Sequence, residues 1–573
     1  MKVFKKSISI LMAMMMIIVC CLCVPVSAQE GEKIKFAVAT DIHAKQDGSE
    51  ESLPVNFPEN ELYFHAENSG NLYYETISIL KNFFKQSVGN GAEFVLITGD
   101  MANSGKEEQH KYFASVLKEM EELYEVPVYV VPGNHDYFNS QPADFKEYYA
   151  DFGYGEALAV DDATASYTAD LPGNVRLIAI DSNDPGKNGD GFNDALISWI
   201  DTQAKQAQAD GKTAIAMMHH PLLEPIPMAE LIMGDFIVEN HKDLAEKFTQ
   251  WGIQYVFTGH EHGNSIGSYV GTNGKTVYDV LTTSLTSYPL EYRMIDFGKD
   301  GMDIKCEQIT ECDFDNLVEG YNDAQLTLMK SDYVEYSKGF FKYSIEKKIA
   351  KYTSTDFIAN KLNVSSGPLY EVLDLVMPLV DEALSMPLYS KDTDGLSVEA
   401  LAKSTSATLP ASDYYNLYDL ATSVVCEIYH GDENMPFESS PEGKVLVVGL
   451  NTMLKYILAQ VGNNAATLAL NAVVSSFGID KLDRVGLFKW NRALVLGADN
   501  LYEISYSVLG PLLEKFLVDQ DIDDRDVTLP GPGETRETES QFQNILDIIK
   551  KVIDYLLNVF KTVMFGPVLR LFK

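Results

Sequence analysis

At 573 residues the chain is too long for one ordinary core, so two or three folding units are expected. Hydrophobic residues make up 46% and charged residues 22%, which excludes a largely disordered chain. The formal charge of −38 excludes nucleic acid and anionic membrane as general partners, because both need basic surface. A small anionic substrate stays open, since bound metal ions would set the local field at such a site.

The first 28 residues read as a secretory signal: Lys2, Lys5 and Lys6 precede an apolar run over 8–24, and Val26-Ser27-Ala28 is a small-residue cleavage site. A retained transmembrane anchor is the alternative, because the run is about the minimum that spans a bilayer. The signal reading implies a secreted protein, extracellular or cell-surface associated. Cys20, Cys21 and Cys23 would leave with the signal, so Cys306, Cys312 and Cys426 remain, which is no disulfide framework. A Cys306–Cys312 bridge and free, buried thiols both stay open.

From 34 to about 310, short apolar runs alternate with helical stretches, which predicts an α/β unit. The strands are expected at 34–40, 93–98, 126–131, 175–180, 213–218 and 254–258. Between them the periodicity predicts helices over 74–88, 107–124 and 194–209, the last with Leu196, Ile197, Ile200 and Ala204 on one face. The β-branched and aromatic stretch 277–308 reads as closing antiparallel strands. From 313 to 517 the pattern turns helical, as in 366–386, 414–429 and 443–477, with no motif that carries chemistry. The acidic stretch 518–541, with Pro530-Gly531-Pro532-Gly533, reads as a linker. A last amphipathic helix is expected in 542–573, its apolar face packing on its own domain or on a partner, with peripheral membrane contact as the other reading.

Nearly every predicted strand of the first unit ends on an Asp, a His or a Gly-Asp pair, and open α/β sheets bind ligands outside the carboxyl ends of their strands. Five motifs follow in order: Asp41-Ile42-His43, Gly99-Asp100, Gly133-Asn134-His135-Asp136, His219-His220-Pro221 and Gly259-His260-Glu261-His262. Six of the 10 histidines lie inside them. Imidazole with carboxylate suits Zn, Fe or Mn, whereas an all-oxygen set suits Mg or Ca. Alternate residues of an extended segment point oppositely, so the 259–262 loop must twist to aim both histidines inward; Gly259 and Gly263 are expected to permit that.

This ordered set resembles the calcineurin-like metallophosphoesterase superfamily over 34 to about 310, and says nothing of the helical half. The resemblance implies a two-sheet sandwich flanked by helices and a pair of transition-metal ions. It implies that Asp41, His43 and His262 hold one ion, that Asn134, His219 and His260 hold the other, and that Asp100 bridges them. The residues alone leave His219 and His220 equivalent; the family's His-x-Pro pattern selects His219. It further implies in-line attack on phosphorus by a water activated between the ions. His135 is the residue expected to protonate the leaving oxygen or stabilise the phosphoryl charge. Asp136 either orients His135 or caps the next turn.

Departures narrow the substrate. Asn103 stands where purple acid phosphatases carry a tyrosine, and the run Gly99 to Gly105 lacks the arginine of protein Ser/Thr phosphatases. The motifs look most like the branch of cyclic-nucleotide and glycerophosphodiester phosphodiesterases, so small organic phosphodiesters are favoured over monoesters. The long segment 44–71, with Phe57, Tyr63, Phe64 and His65, is a candidate lid whose aromatics either stack on a base or anchor the loop. The competing reading is a non-catalytic cell-surface binding or scaffold protein; all seven ligand positions are filled, which weighs against it.

Overall fold

A computed structural model describes residues 33–46, 70–184, 189–225, 236–312, 323–390, 396–403, 408–431, 440–476 and 523–534. The predicted signal segment, the terminal helix and most of the candidate lid lie outside the described residues. The described strands are β1 (Ile34–Ala39), β2 (Phe94–Ile97), β3 (Val128–Val130), β4 (Ala159–Val160), β5 (Tyr167–Leu171), β6 (Val175–Ala179), β7 (Asn183–Asp184), β8 (Gly189–Asp190), β9 (Thr213–Met217), β10 (Tyr255–Thr258), β11 (Ser265–Val270), β12 (Thr276–Leu281), β13 (Glu291–Gly298), β14 (Gly301–Gln308) and β15 (Val527–Pro530).

Two mixed sheets face each other. One runs β15-β14-β13-β1-β2-β3, the other β11-β12-β10-β9-β6-β5-β4. Each holds a parallel block: β1, β2 and β3 at one end of the first, and β6, β9, β10 and β12 within the second. These strands are apolar on both faces because both faces are covered. Phe36, Val38, Phe94 and Leu96 point inward against Leu177, Ile215, Met217 and Phe257. Phe36 stacks on Phe94 at 4.7 Å between ring centroids. Their alternates Ala37, Ala39, Val95 and Ile97 face outward under helices Thr76–Gly89 and Glu107–Tyr124, which bury Phe83, Phe84, Phe113 and Leu117. On the far side, Ile178, Ala216 and Val256 lie under helices Asp194–Ala209 and His241–Trp251. The Asp194–Ala209 helix starts where the periodicity places it, because the Asn193 side chain accepts from the Leu196 amide.

Three sequence expectations change. Residues 277–308 do not form one antiparallel unit: β12 joins the second sheet, parallel to β10, while β13 and β14 extend the first beside β1. The stretch 518–541, expected as a linker, contains β15, an edge strand antiparallel to β14. Its Pro and Gly content is compatible with an edge strand, where a missing amide donor faces away from the ladder. The helix expected over 443–477 is two helices, Pro441–Val461 and Asn463–Ser476, separated at Gly462 with φ +80°.

The helical region begins with Asp323–Ser331 and Tyr333–Tyr352, whose Met329, Tyr333, Tyr336 and Phe340 join the core beneath the first sheet. Helices Pro368–Ser385, Leu417–His430, Pro441–Val461 and Asn463–Ser476 build further cores around Leu373, Val376 and Ile457, and around Leu417, Leu420, Val445 and Val448. Cys306 and Cys312 are not bridged to each other, and Cys312 and Cys426 are buried.

Candidate metal centre

The carboxyl ends of β1, β2, β3, β9 and β10 deliver the five motifs to one place. Their loops are stitched together by backbone hydrogen bonds, from Asp41 N to Gly99 O at 3.0 Å, His43 N to Asp100 O at 2.8 Å and Gly259 N to His219 O at 2.9 Å. Five of the seven expected ligands sit in left-handed backbone: Asp41 (φ 52°), His43 (50°), Asp100 (54°), His260 (77°) and His262 (60°). Each such residue costs about 1–3 kcal/mol and persists only where its surroundings over-determine it.

Those surroundings are identifiable. Ser284 Oγ donates to Asp41 O at 2.7 Å, Thr286 Oγ1 to Ile42 O at 3.0 Å, and Thr283 Oγ1 to the His262 carbonyl. The twist of the 259–262 loop therefore resides in the histidines themselves, not in Gly259 and Gly263 as expected. Gly259 is needed for room instead: a Cβ there would lie 2.0 Å from Thr40 Oγ1. Gly133 is similar, with a Cβ landing 2.1 Å from Asp100 Oδ1.

All seven side chains converge. Asp41 Oδ1 lies 3.3 Å from His262 Nε2 and 3.7 Å from His43 Nε2, and the two imidazole nitrogens are 3.1 Å apart. Beside this group, His219 Nε2 lies 3.4 Å from Asp100 Oδ2, 3.1 Å from His260 Nδ1 and 3.2 Å from Asn134 Oδ1. Asp100 Oδ2 is also 3.6 Å from His43 Nε2, so this one oxygen touches both groups.

Each carboxylate is aimed by its other oxygen. Asp41 Oδ2 accepts from Thr40 Oγ1 and the His260 amide, both at 2.8 Å, leaving Oδ1 buried without a hydrogen-bond partner. Asp100 Oδ1 accepts from the His135 amide at 2.8 Å, freeing Oδ2. A buried carboxylate oxygen left bare costs free energy unless a cation sits on it. The donor set of imidazole nitrogens, carboxylates and one amide oxygen fits a pair of transition-metal ions.

The electrostatics agree. Burial alone would raise Asp41, but His262 and His219 hold its carboxyl well below the usual range. Burial likewise opposes ionisation of Asp100, and His219 foremost overrides it to keep that carboxyl low. His219 pays the burial cost yet is pushed up to about 9 by Asp100 and Asp41. Burial lowers His43 to about 4, and burial with the charge on His219 lowers His260 to about 3. The pull of two buried carboxylates on one imidazole is what a position that could hold a cation would show.

His219 and His220 are placed differently. His220 Nδ1 meets Ser182 Oγ at 2.8 Å and its ring lies against His260, whereas His219 aims Nε2 into the cluster. His135 lies at the rim, T-shaped against His43, with Nδ1 donating to Asn103 O at 2.8 Å. Asp136 corrects both readings offered for it. Its carboxylate accepts from the amides of Ala102 at 2.8 Å, Gly133 at 2.9 Å and Met101 at 3.3 Å, tying the Asp100 loop to the Asn134 loop instead of orienting the His135 ring or capping a turn. Burial, then the charge on Asp100, pushes it up to about 7.

Sequence reasoning missed several contributors. The hydroxyl-rich run Thr282-Thr283-Ser284-Leu285-Thr286-Ser287 is fully buried behind the Asp41 loop; so dense a run of hydroxyls after a strand was the available signal. Asp279, inside β12, accepts from the Leu222 and Leu223 amides and from Thr258 Oγ1, anchoring the His219 loop. Phe138 and Phe236 are exposed aromatics packed on His135 and His260, with centroids at 4.4 and 5.2 Å.

Residues 34–264 match the family described as calcineurin-like phosphoesterase. A probable glycerophosphodiester phosphodiesterase from Arcobacter nitrofigilis is 27% identical over 207 residues, 35% of this chain and 68% of its own. A probable cyclic nucleotide phosphodiesterase from Fibrobacter succinogenes is 22% identical over 248 residues, 40% of this chain and 86% of its own. A serine/threonine-protein phosphatase from Homo sapiens is 29% identical over 188 residues, 31% of this chain and 55% of its own.

Proposed function

From the premise that this chain carries a calcineurin-like phosphoesterase domain and is a metal-dependent hydrolase, we propose that it is a secreted enzyme cleaving small organic phosphate esters, diesters ahead of monoesters. The observation that carries the reading is the convergence of seven side chains into two groups that share Asp100 Oδ2. Asp41, His43 and His262 would hold one ion with Asp100, and Asn134, His219 and His260 the other. Two ions of Mn, Fe or Zn character held there would supply Lewis acidity, making a nucleophilic water more acidic and drawing charge from the phosphoryl oxygens.

The chain's own residues then have distinct tasks. Asp41 and Asp100 present one oxygen each because hydrogen bonds immobilise the other. The Asn103 carbonyl fixes the His135 ring through Nδ1, so a protonated His135 offers Nε2–H to the leaving oxygen at the open side. Phe138 beside His135 and Phe236 beside His260 give the mouth two apolar flanks, one for each organic group of a diester. The names of the first two relatives support the same preference, and the basic-apolar leader through Ala28 supports secretion.

The test is turnover of bis(p-nitrophenyl) phosphate against p-nitrophenyl phosphate after loading with Mn, Fe or Zn. Faster diester cleavage is expected. Faster monoester cleavage would replace the diester reading with a phosphomonoesterase, and no turnover of either would overturn the activity.

A further inference from the structure

The loop that carries His260 and His262 ends at Asn264, and Asn264 is held by three distant parts of the chain. Its amide donates to Tyr429 O at 3.0 Å, at the end of the Leu417–His430 helix of the helical half. Its Nδ2 donates to Glu291 Oε2 at 2.7 Å, at the start of β13, and reaches His430 O at 3.4 Å. Its Oδ1 accepts from the Thr283 amide at 3.3 Å.

Glu291 is 1% exposed, a buried charge that must be paired to be tolerated. Arg525 supplies the pairing from the segment that leads into β15: its Nη1 lies 2.9 Å from the Glu291 carboxylate and donates to His430 O at 3.1 Å. His430 Nε2 is 3.4 Å from Glu291 Oε1. Neighbouring Asp524 accepts from the Ile266 amide, just beyond the loop, and its carbonyl accepts from the fully buried Arg293 at 2.9 Å. Gly431, at φ +86°, closes the packing, because a Cβ there would come 3.1 Å from Asp524 Cβ and 3.2 Å from Asn264 Cβ.

We propose that Asn264, Glu291, Arg525 and the carbonyl end of the Leu417–His430 helix form a brace that positions His262, so that the helical half and the returning C-terminal strand complete one of the two ion sites. The inference rests on the metal reading of the site proposed above. His260 and His262 hold left-handed backbone; Thr283 holds the His262 carbonyl, and the brace fixes the loop from two residues beyond His262. These are positioning residues: in metal sites such partners typically set 10–100-fold of affinity.

The experiment uses the full chain with Mn²⁺ alone as probe, following stoichiometry and affinity by calorimetry and spin coupling by electron paramagnetic resonance. Glu291→Gln and Arg525→Met are expected to weaken one of two ions by about 10–100-fold and turn a coupled pair into a mononuclear signal. Arg525→Lys, which keeps a cation beside Glu291, is expected to retain the pair and serves if Glu291→Gln fails to fold. Lys403→Gln, at an exposed pair with Glu399, is the control. Wild-type affinity for both ions in Arg525→Met overturns the brace and leaves the function standing. Equal weakening of both ions together with a lowered melting temperature also overturns it, since that is loss of the fold at large. No Mn²⁺ in the wild type overturns brace and function together.

Discussion

The α/β half and the helical half follow different rules at the places where their chain reverses. In the helical half, helices start on ordinary caps: Asp332, Ser354, Ser397, Asn416 and Ser440 each accept from an amide three residues on. What they bury is mainly Leu, Val and Ala. In the α/β half, the reversals after β1, β2 and β10 place Asp41, His43, Asp100, His260 and His262 in left-handed backbone and bury carboxylates against imidazoles. Favourable local geometry marks the first as architecture. Strain and buried charge, tolerated because hydroxyls and backbone amides support them, mark the second as a site.

Substitutions can break that contrast. The largest effect is expected from Asp100→Ala, which removes the oxygen shared by both groups: metal analysis should find both ions lost and turnover at background. His135→Ala should keep both ions while kcat falls by about 10²–10⁴, as for loss of a general acid; an unchanged kcat removes His135 from the reaction. Ser284→Ala deletes the donor to the left-handed Asp41 carbonyl and should cost about 1 kcal/mol in denaturant unfolding, with weaker Mn²⁺ binding alongside. Ser440→Ala removes a cap from the helical half and should cost a similar ~1 kcal/mol with Mn²⁺ affinity unchanged. Equal effects of these two on the metal would erase the distinction.

The smallest effect concerns pH. Burial pushes Asp279 up to about 6, above its unfolded value of about 3.9, so the folded chain binds that proton more tightly. Its contribution to stability is present below about pH 4 and is lost as pH rises through 6. Asp279→Asn should flatten the unfolding free energy over that interval; an unchanged slope assigns the dependence to other groups.

Much of this was legible in the sequence, for local reasons. Helices Glu107–Tyr124 and Asp194–Ala209 fall where apolar periodicity puts them, and the strand-end Asp and His motifs specify the cluster because each follows its own apolar run. What escaped depends on distant partners. β15 pairs with Gly301–Ile304 across more than two hundred residues, and the Pro, Gly and Asp content of the stretch around it suggests a linker. Asp136 bonds amides on two loops that only the fold brings together. The left-handed backbone at His262 is supported by the Thr283 hydroxyl and by the brace at Asn264, neither of which lies in its own motif.

The most direct test is anomalous diffraction from crystals of Mn- or Zn-loaded protein. Two peaks are expected, one among Asp41, His43 and His262 and one among Asn134, His219 and His260, both against Asp100. A single peak away from Asp100, or none, would contradict a shared two-ion centre.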